Sequence, residues 1–144
     1  MARQFPLAGL LRLRQLREDE AAGSLAAANE RLRASRTRTD GVNGALGGTD
    51  LDPAGAASLH AVAAARASAR SMLADLQALE TRLLTEQEHA QTTYWGARAA
   101  TMGLEKLEAR HSEAEATALL GAEQLVLDEI ASAGRLQHTG KDRA

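Results

Sequence analysis

Leu104 to Arg135, LEKLEARHSEAEATALLGAEQLVLDEIASAGR, is the stretch whose reading decides the fold. It lacks proline and is amphipathic: leucines and alanines recur at helical spacing, with glutamates and an aspartate on the other side. A lone helix of this kind leaves its apolar stripe in water, which is unfavourable. The stretch therefore demands a helical partner, from this chain or from another protein.

Outward from it, a spacing of seven residues runs through Leu76, Leu83, Ala90, Ala97, Leu104, His111, Ala118 and Leu125. Leu79, Glu86, Thr93, Ala100, Leu107, Ala114 and Gly121 form the companion column, three residues further along. Sustained apolar spacing of this period is the pattern of a coiled coil. The seam is thin between Ala90 and Ala100, and past Leu125 the stripe shifts to Val126 and Ile130, as a stutter produces.

Asp52 and Pro53 suit a helix start, the first as an acceptor for free N–H groups and the second at the first helical position. A helix from about 53 to about 133 follows, with a disordered tail expected over 134–144. Before it, TRTDGVNGALGGTD carries Gly41, Gly44, Gly47 and Gly48, each costing a helix about 1 kcal/mol relative to Ala. That composition predicts a turn over about 39–52. A first helix is expected over about 5–38, with Pro6 near its start and a seam through Leu7, Leu11, Ala21, Leu25, Ala28 and Leu32. Leu10, Leu13 and Leu16 widen its apolar face. The first helix spans less than half the second, so part of the second is expected to stand uncovered or to be clothed by a partner.

Composition agrees with one all-α domain of 144 residues. Aromatic residues are 2 % of the chain and apolar character rests on Ala and Leu, which suits helices packed side by side better than a globular core. There is no cysteine, hence no disulfide framework or thiolate chemistry. The net charge of −2 conceals +4 over residues 1–38 and −6 over the rest, so the two arms attract if the chain folds back. The basic arm lacks interleaved aromatics for stacking on bases, and no nucleic-acid role is expected. An amphipathic helix lying on a membrane is a rival reading of that arm. MARQFPLAGLLRLR reads as no signal peptide, since Arg12 interrupts its apolar run and no small-residue cleavage site follows. No stretch approaches the roughly 20 apolar residues of a membrane span.

No active site, cofactor or metal site is expected. The four histidines are scattered, and His111 with Glu115, one turn apart, reads better as polar seam residues than as metal ligands. GRLQHTGK, Gly134 to Lys141, has five residues between its glycines and Asp142 after the lysine, so it is not a phosphate-binding loop. Tyr94 and Trp95 lie in the thin part of the seam, as packing residues or as an aromatic anchor for a partner.

The order of short motifs along nearly the whole chain resembles the FliJ family of flagellar export proteins. Phe5-Pro-Leu and Leu10-Leu-Arg-Leu-Arg resemble its N-terminal helix, continued by Arg17-Glu-Asp-Glu-Ala-Ala and Leu25-Ala-Ala-Ala-Asn-Glu. Leu59 to Leu79 resembles its second-helix start, and Leu104-Glu-Lys-Leu-Glu-Ala-Arg with Leu127-Asp-Glu-Ile-Ala its C-terminal signature.

The resemblance implies an antiparallel two-helix coiled coil, similar to the central stalk of rotary ATP synthases; the spacing of seven places Leu25, Leu32, Leu76, Leu79, Leu83, Leu104, Leu107 and Leu125 in its seam. It implies a non-enzymatic stalk that binds the hexameric flagellar export ATPase, promotes its assembly, and links it to the membrane-embedded export gate and to export chaperones. Its place is the cytoplasm, at the membrane face of the flagellar base. Asp128, Glu129 and Ile130 match the family's motif and are the first candidates for partner contact. Leu59, Val62, Arg66 and Ala69 align with its gate-contacting region, without the aromatic residues the family uses there. The rival functions are the equivalent stalk of a virulence secretion system and a self-associating coiled-coil scaffold.

Overall fold

The computed structural model describes residues 3–48 and 55–139. Nearly all of them lie in two helices, α1 at Ala8–Gly47 and α2 at Ala56–Thr139. The helices pack against each other, with no strand among the described residues, as a helical hairpin coiled coil of the expected class. Two compact units make up the chain: residues 16–98, and residues up to Gln15 together with those from Ala99 onward.

In the unit of residues 16–98, the covered face of α1 follows alternate steps of three and four. Glu18, Ala21, Leu25, Ala28, Leu32, Ser35, Thr39, Val42 and Leu46 are buried or half-buried in turn. On α2 the same rhythm takes Val62, Arg66, Ala69, Leu73, Leu76, Glu80, Leu83, Gln87, Ala90, Tyr94 and Ala97. Three ion pairs tie the faces together: Arg36 with Glu80 at 2.8 Å, Arg31 with Glu86 at 3.7 Å, and Glu18 with Arg98 at 3.1 Å. From the first pair to the last, the partners retreat eighteen residues on α1 and advance eighteen on α2, which is antiparallel pairing in constant register.

In the other unit, Phe5, Ala8, Leu11 and Arg14 are turned inward, as are Thr101, Leu104, Glu108, His111 and Glu115 of α2. Thr101 is fully buried. From Ala116 to Arg135 every residue is exposed.

The column Leu76, Leu83, Leu104 is where the sequence places it, but its companion differs. The second covered column follows four residues on rather than three, through Glu80, Gln87, Tyr94, Thr101, Glu108 and Glu115. Leu79 and Ala100 are half-buried flanks, whereas Glu86 and Ala114 are exposed and Leu107 is 45 % exposed. Leu125, expected in the seam, is 72 % exposed.

The helix limits also differ. The first helix opens at Ala8 rather than near residue 5, because Phe5-Pro6-Leu7 forms a turn in which Ala8 N–H donates to the Phe5 carbonyl at 3.2 Å. It runs on to Gly47 rather than ending near residue 38, through the glycines expected to form the turn. Burying Val42 and Leu46 offsets the propensity cost of Gly41 and Gly44, since tertiary packing supplies most helix stability. Asp52 and Pro53 lie outside the described residues. Gly55 opens α2: its φ is 115°, a backbone region that glycine reaches freely, and its carbonyl accepts from Leu59 N–H at 3.0 Å. At the far end α2 continues through Gly134 to Thr139, where a disordered tail was expected. Once a helix exists each added residue gains a hydrogen bond, so a single glycine does not end it. The remainder of that tail lies outside the described residues.

Candidate partner-binding surfaces

Where the covered faces of α1 and α2 reach their small residues, a gap opens between the helices. Gly41, Val42, Ala45 and Leu46 face Ala65, Ser68, Ala69, Met72 and Leu76 across a groove of about 680 Å³, with Arg38 at its edge. Glycine, alanine and serine side chains fill too little of the space between two helix axes, so the lining is apolar and open. The surroundings are basic. Arg31, Arg33, Arg36 and Arg38 precede the groove on α1 and Arg66 and Arg70 flank it on α2, while Asp40 and Asp75 are the two acids among described residues 31–48 and 55–76. Arg31, Arg33 and Arg36 are paired with glutamates. Arg38, Arg66 and Arg70 make no ion pair among the described residues.

Leu59, Val62, Arg66 and Ala69, aligned with a gate-contacting region, fall on one stripe of α2. It is the stripe that carries Leu76 and Leu83 into the seam. Val62, Arg66 and Ala69 are half-buried on it, and Ala69 lines the groove. Leu59, one turn nearer the helix start, is exposed.

The second surface is the exposed end of α2. At about 100° per residue, Leu119, Leu120, Val126, Leu127 and Ile130 share a stripe about a third of the way round the helix, and all five are exposed. Leu119, Ala122, Glu123, Val126 and Leu127 line a shallow hollow of about 480 Å³ on it. Glu129 lies beside the stripe and Asp128 on the far side of the helix. Asp128 accepts from Gln124 Nε2 at 3.1 Å and its backbone carbonyl from Ser132 Oγ at 2.7 Å. Asp128 and Ile130 thus point nearly opposite ways, so no single flat surface meets both; a partner that embraces the helix does. From His111 to Gly134 there are five acids and no lysine or arginine.

Two sequence-level candidates resolve into packing. His111 stacks on Phe5, ring centroids 5.7 Å apart, and Glu115 accepts from the Arg3 backbone N–H at 3.0 Å. The pair anchors the N-terminal residues, and among the described residues no group of three metal-ligating side chains gathers. Tyr94 turns into the seam, while Trp95 is 60 % exposed beside it, ring centroids 5.5 Å apart. The three cross-helix ion pairs were not foreseen individually. Their signal was the opposite charge of the two arms, which names no partners until the register is known.

A family model described as "Flagellar FliJ protein" matches residues 3–138 of the chain. No curated protein and no solved structure matches it.

Proposed function

The chain belongs to the FliJ family and is a flagellar export-associated protein, and on that premise we propose that it acts as the non-enzymatic stalk of the flagellar type III export ATPase. In this reading α2's exposed end enters the hexameric ATPase ring and promotes its assembly. The groove end of the hairpin faces the export gate and the export chaperones. The complex sits at the cytoplasmic face of the membrane at the flagellar base, reached through partners, since no helix among the described residues is long and apolar enough to cross a membrane.

The observation that carries the reading is the exposed stripe at Leu119, Val126 and Ile130, with Glu129 beside it and Asp128 on the far side of the helix. An apolar helix surface of this extent is stable in water only when something covers it. Asp128 and Glu129, so placed, suit a partner that surrounds the helix. A stiff rod in a sixfold ring touches only some subunits at a time, which biases nucleotide exchange among otherwise equivalent sites. No step of this kind needs a cofactor or a catalytic side chain on the stalk.

The test is ATP hydrolysis by the purified cognate export ATPase, with and without this protein. Stimulation at about one chain per hexamer supports the stalk role. No stimulation together with no co-purification overturns it and leaves a self-associating scaffold. The match to a flagellar family favours the flagellar system over a virulence secretion system.

A further inference from the structure

The two exposed surfaces are complementary to each other. One is an apolar groove whose arginines, Arg38 from α1 and Arg66 and Arg70 from α2, make no ion pair among the described residues. The other is an apolar helical stripe with Glu123 within it and Glu129 beside it, Asp128 lying on the far side of the helix. Both lack a cover among the described residues. We propose that the chain associates with itself head to tail, the stripe of one copy around Val126 and Ile130 seated in the groove of a second copy between Val42 and Ala69.

The physical case rests on sign and shape. Glu123 on the stripe and Glu129 beside it gain Coulomb attraction from the basic rim while Val126 and Ile130 leave water. Gly41, Ala45, Ala65 and Ala69 leave room for side chains the size of valine and isoleucine. Pairing stripe with stripe instead sets Glu123 and Glu129 of each copy against those of the other, and pairing groove with groove sets arginine against arginine. The contact therefore joins two different patches. A contact of that kind is heterologous: it adds further copies head to tail, closing into a ring where the rotation allows and staying open where it does not. Such chains cover both surfaces on which the export role proposed above depends, and so store the protein with its partner sites masked.

The experiment measures mass by sedimentation velocity on the full chain across a concentration series, with no ATPase present, so that its outcome is independent of the stalk reading. Wild type is expected to rise above the 15.2 kDa of one chain as concentration increases and to fall back as salt is added. A stripe variant, V126D/I130D, and a groove variant, R38E/R70E, change exposed side chains only, and unchanged circular dichroism confirms that each folds. Each variant alone is expected to remain at single-chain mass. An equal mixture of the two is expected to stop at double mass, because each supplies the patch the other lacks and the two damaged patches, both acidic, repel. A wild type that stays at 15.2 kDa throughout overturns the proposal. So does association that survives in either variant, or a mixture that gives no dimer.

Discussion

Glu18 and Arg98 form an ion pair, Oε1 to Nη1 at 3.1 Å, between residues eighty apart in sequence. Glu18 is the more covered partner, its side chain 15 % exposed against 39 % for Arg98. It occupies a seam position that an apolar residue would fill in an idealised coiled coil, so the pair trades burial energy for a fixed register. Removing Glu18 leaves a half-buried guanidinium without its counter-charge. Glu18→Ala is expected to cost about 1 kcal/mol, below the range for fully buried charged hydrogen bonds because Arg98 retains water. The exchange Glu18→Arg with Arg98→Glu is expected to recover most of that loss. Urea unfolding followed by circular dichroism reads both, and a single substitution that proves harmless removes the register role.

Ser35 is buried at 4 % exposure, and its hydroxyl has no hydrogen-bond partner among the described residues. A desolvated hydroxyl without a partner is unfavourable, and alanine is the better helix former. Ser35→Ala is expected to stabilise the hairpin by about 1 kcal/mol. A lower unfolding midpoint in the variant would mean the hydroxyl is satisfied after all.

Gly55 and Gly103 make opposite predictions from similarly open surroundings. Beyond the local backbone, no atom lies within 4 Å of where a Cβ would sit on either one. Gly55 has a φ of 115°, so Gly55→Ala is expected to cost about 1–3 kcal/mol from backbone strain alone. The damage should be local and appear as faster hydrogen exchange at the Leu59 amide, which bonds to the Gly55 carbonyl. Gly103 lies inside α2, and Gly103→Ala is expected to stabilise the helix by about 1 kcal/mol. Equal effects of the two substitutions would contradict the assigned backbone.

Leu32 and Leu125 both fit an apolar spacing of seven, yet one is 7 % exposed and the other 72 %. Leu32→Ala is expected to cost about 2–4 kcal/mol as a cavity opens in the seam. Leu125→Ala is expected to change stability by no more than about 0.5 kcal/mol. Thermal unfolding of the two variants side by side separates a seam leucine from an exposed one.

The fold class was legible because its signal is carried by side chains that repeat. Leu76, Leu83 and Leu104 recur at seven because one side of α2 is covered, and burial selects leucine at that spacing. The companion column was not legible because it is polar. Glu80, Gln87, Thr101, Glu108 and Glu115 turn toward α1 with no hydrophobic mark, while Leu107 and Ala114 imitate a seam from the exposed side. Hydropathy reports what is apolar, and here half of the covered positions are not.

The candidate surfaces divide in the same way. Asp128, Glu129 and Ile130 were named from a motif, which holds their order but not their directions; helical geometry then sets Asp128 and Ile130 nearly opposite each other. The groove between Val42 and Ala69 has no motif, since it exists only where small residues of two helices meet. Composition and period by themselves determined two helices, each in need of a helical cover; that they pair with each other was implied by the resemblance and decided by the tertiary structure. Which columns meet, how far α1 continues past its glycines, and which leucines stay wet were decided by tertiary packing. Each of those depends on the free energy of burying a side chain against a partner far away in sequence, and local propensity does not contain that term.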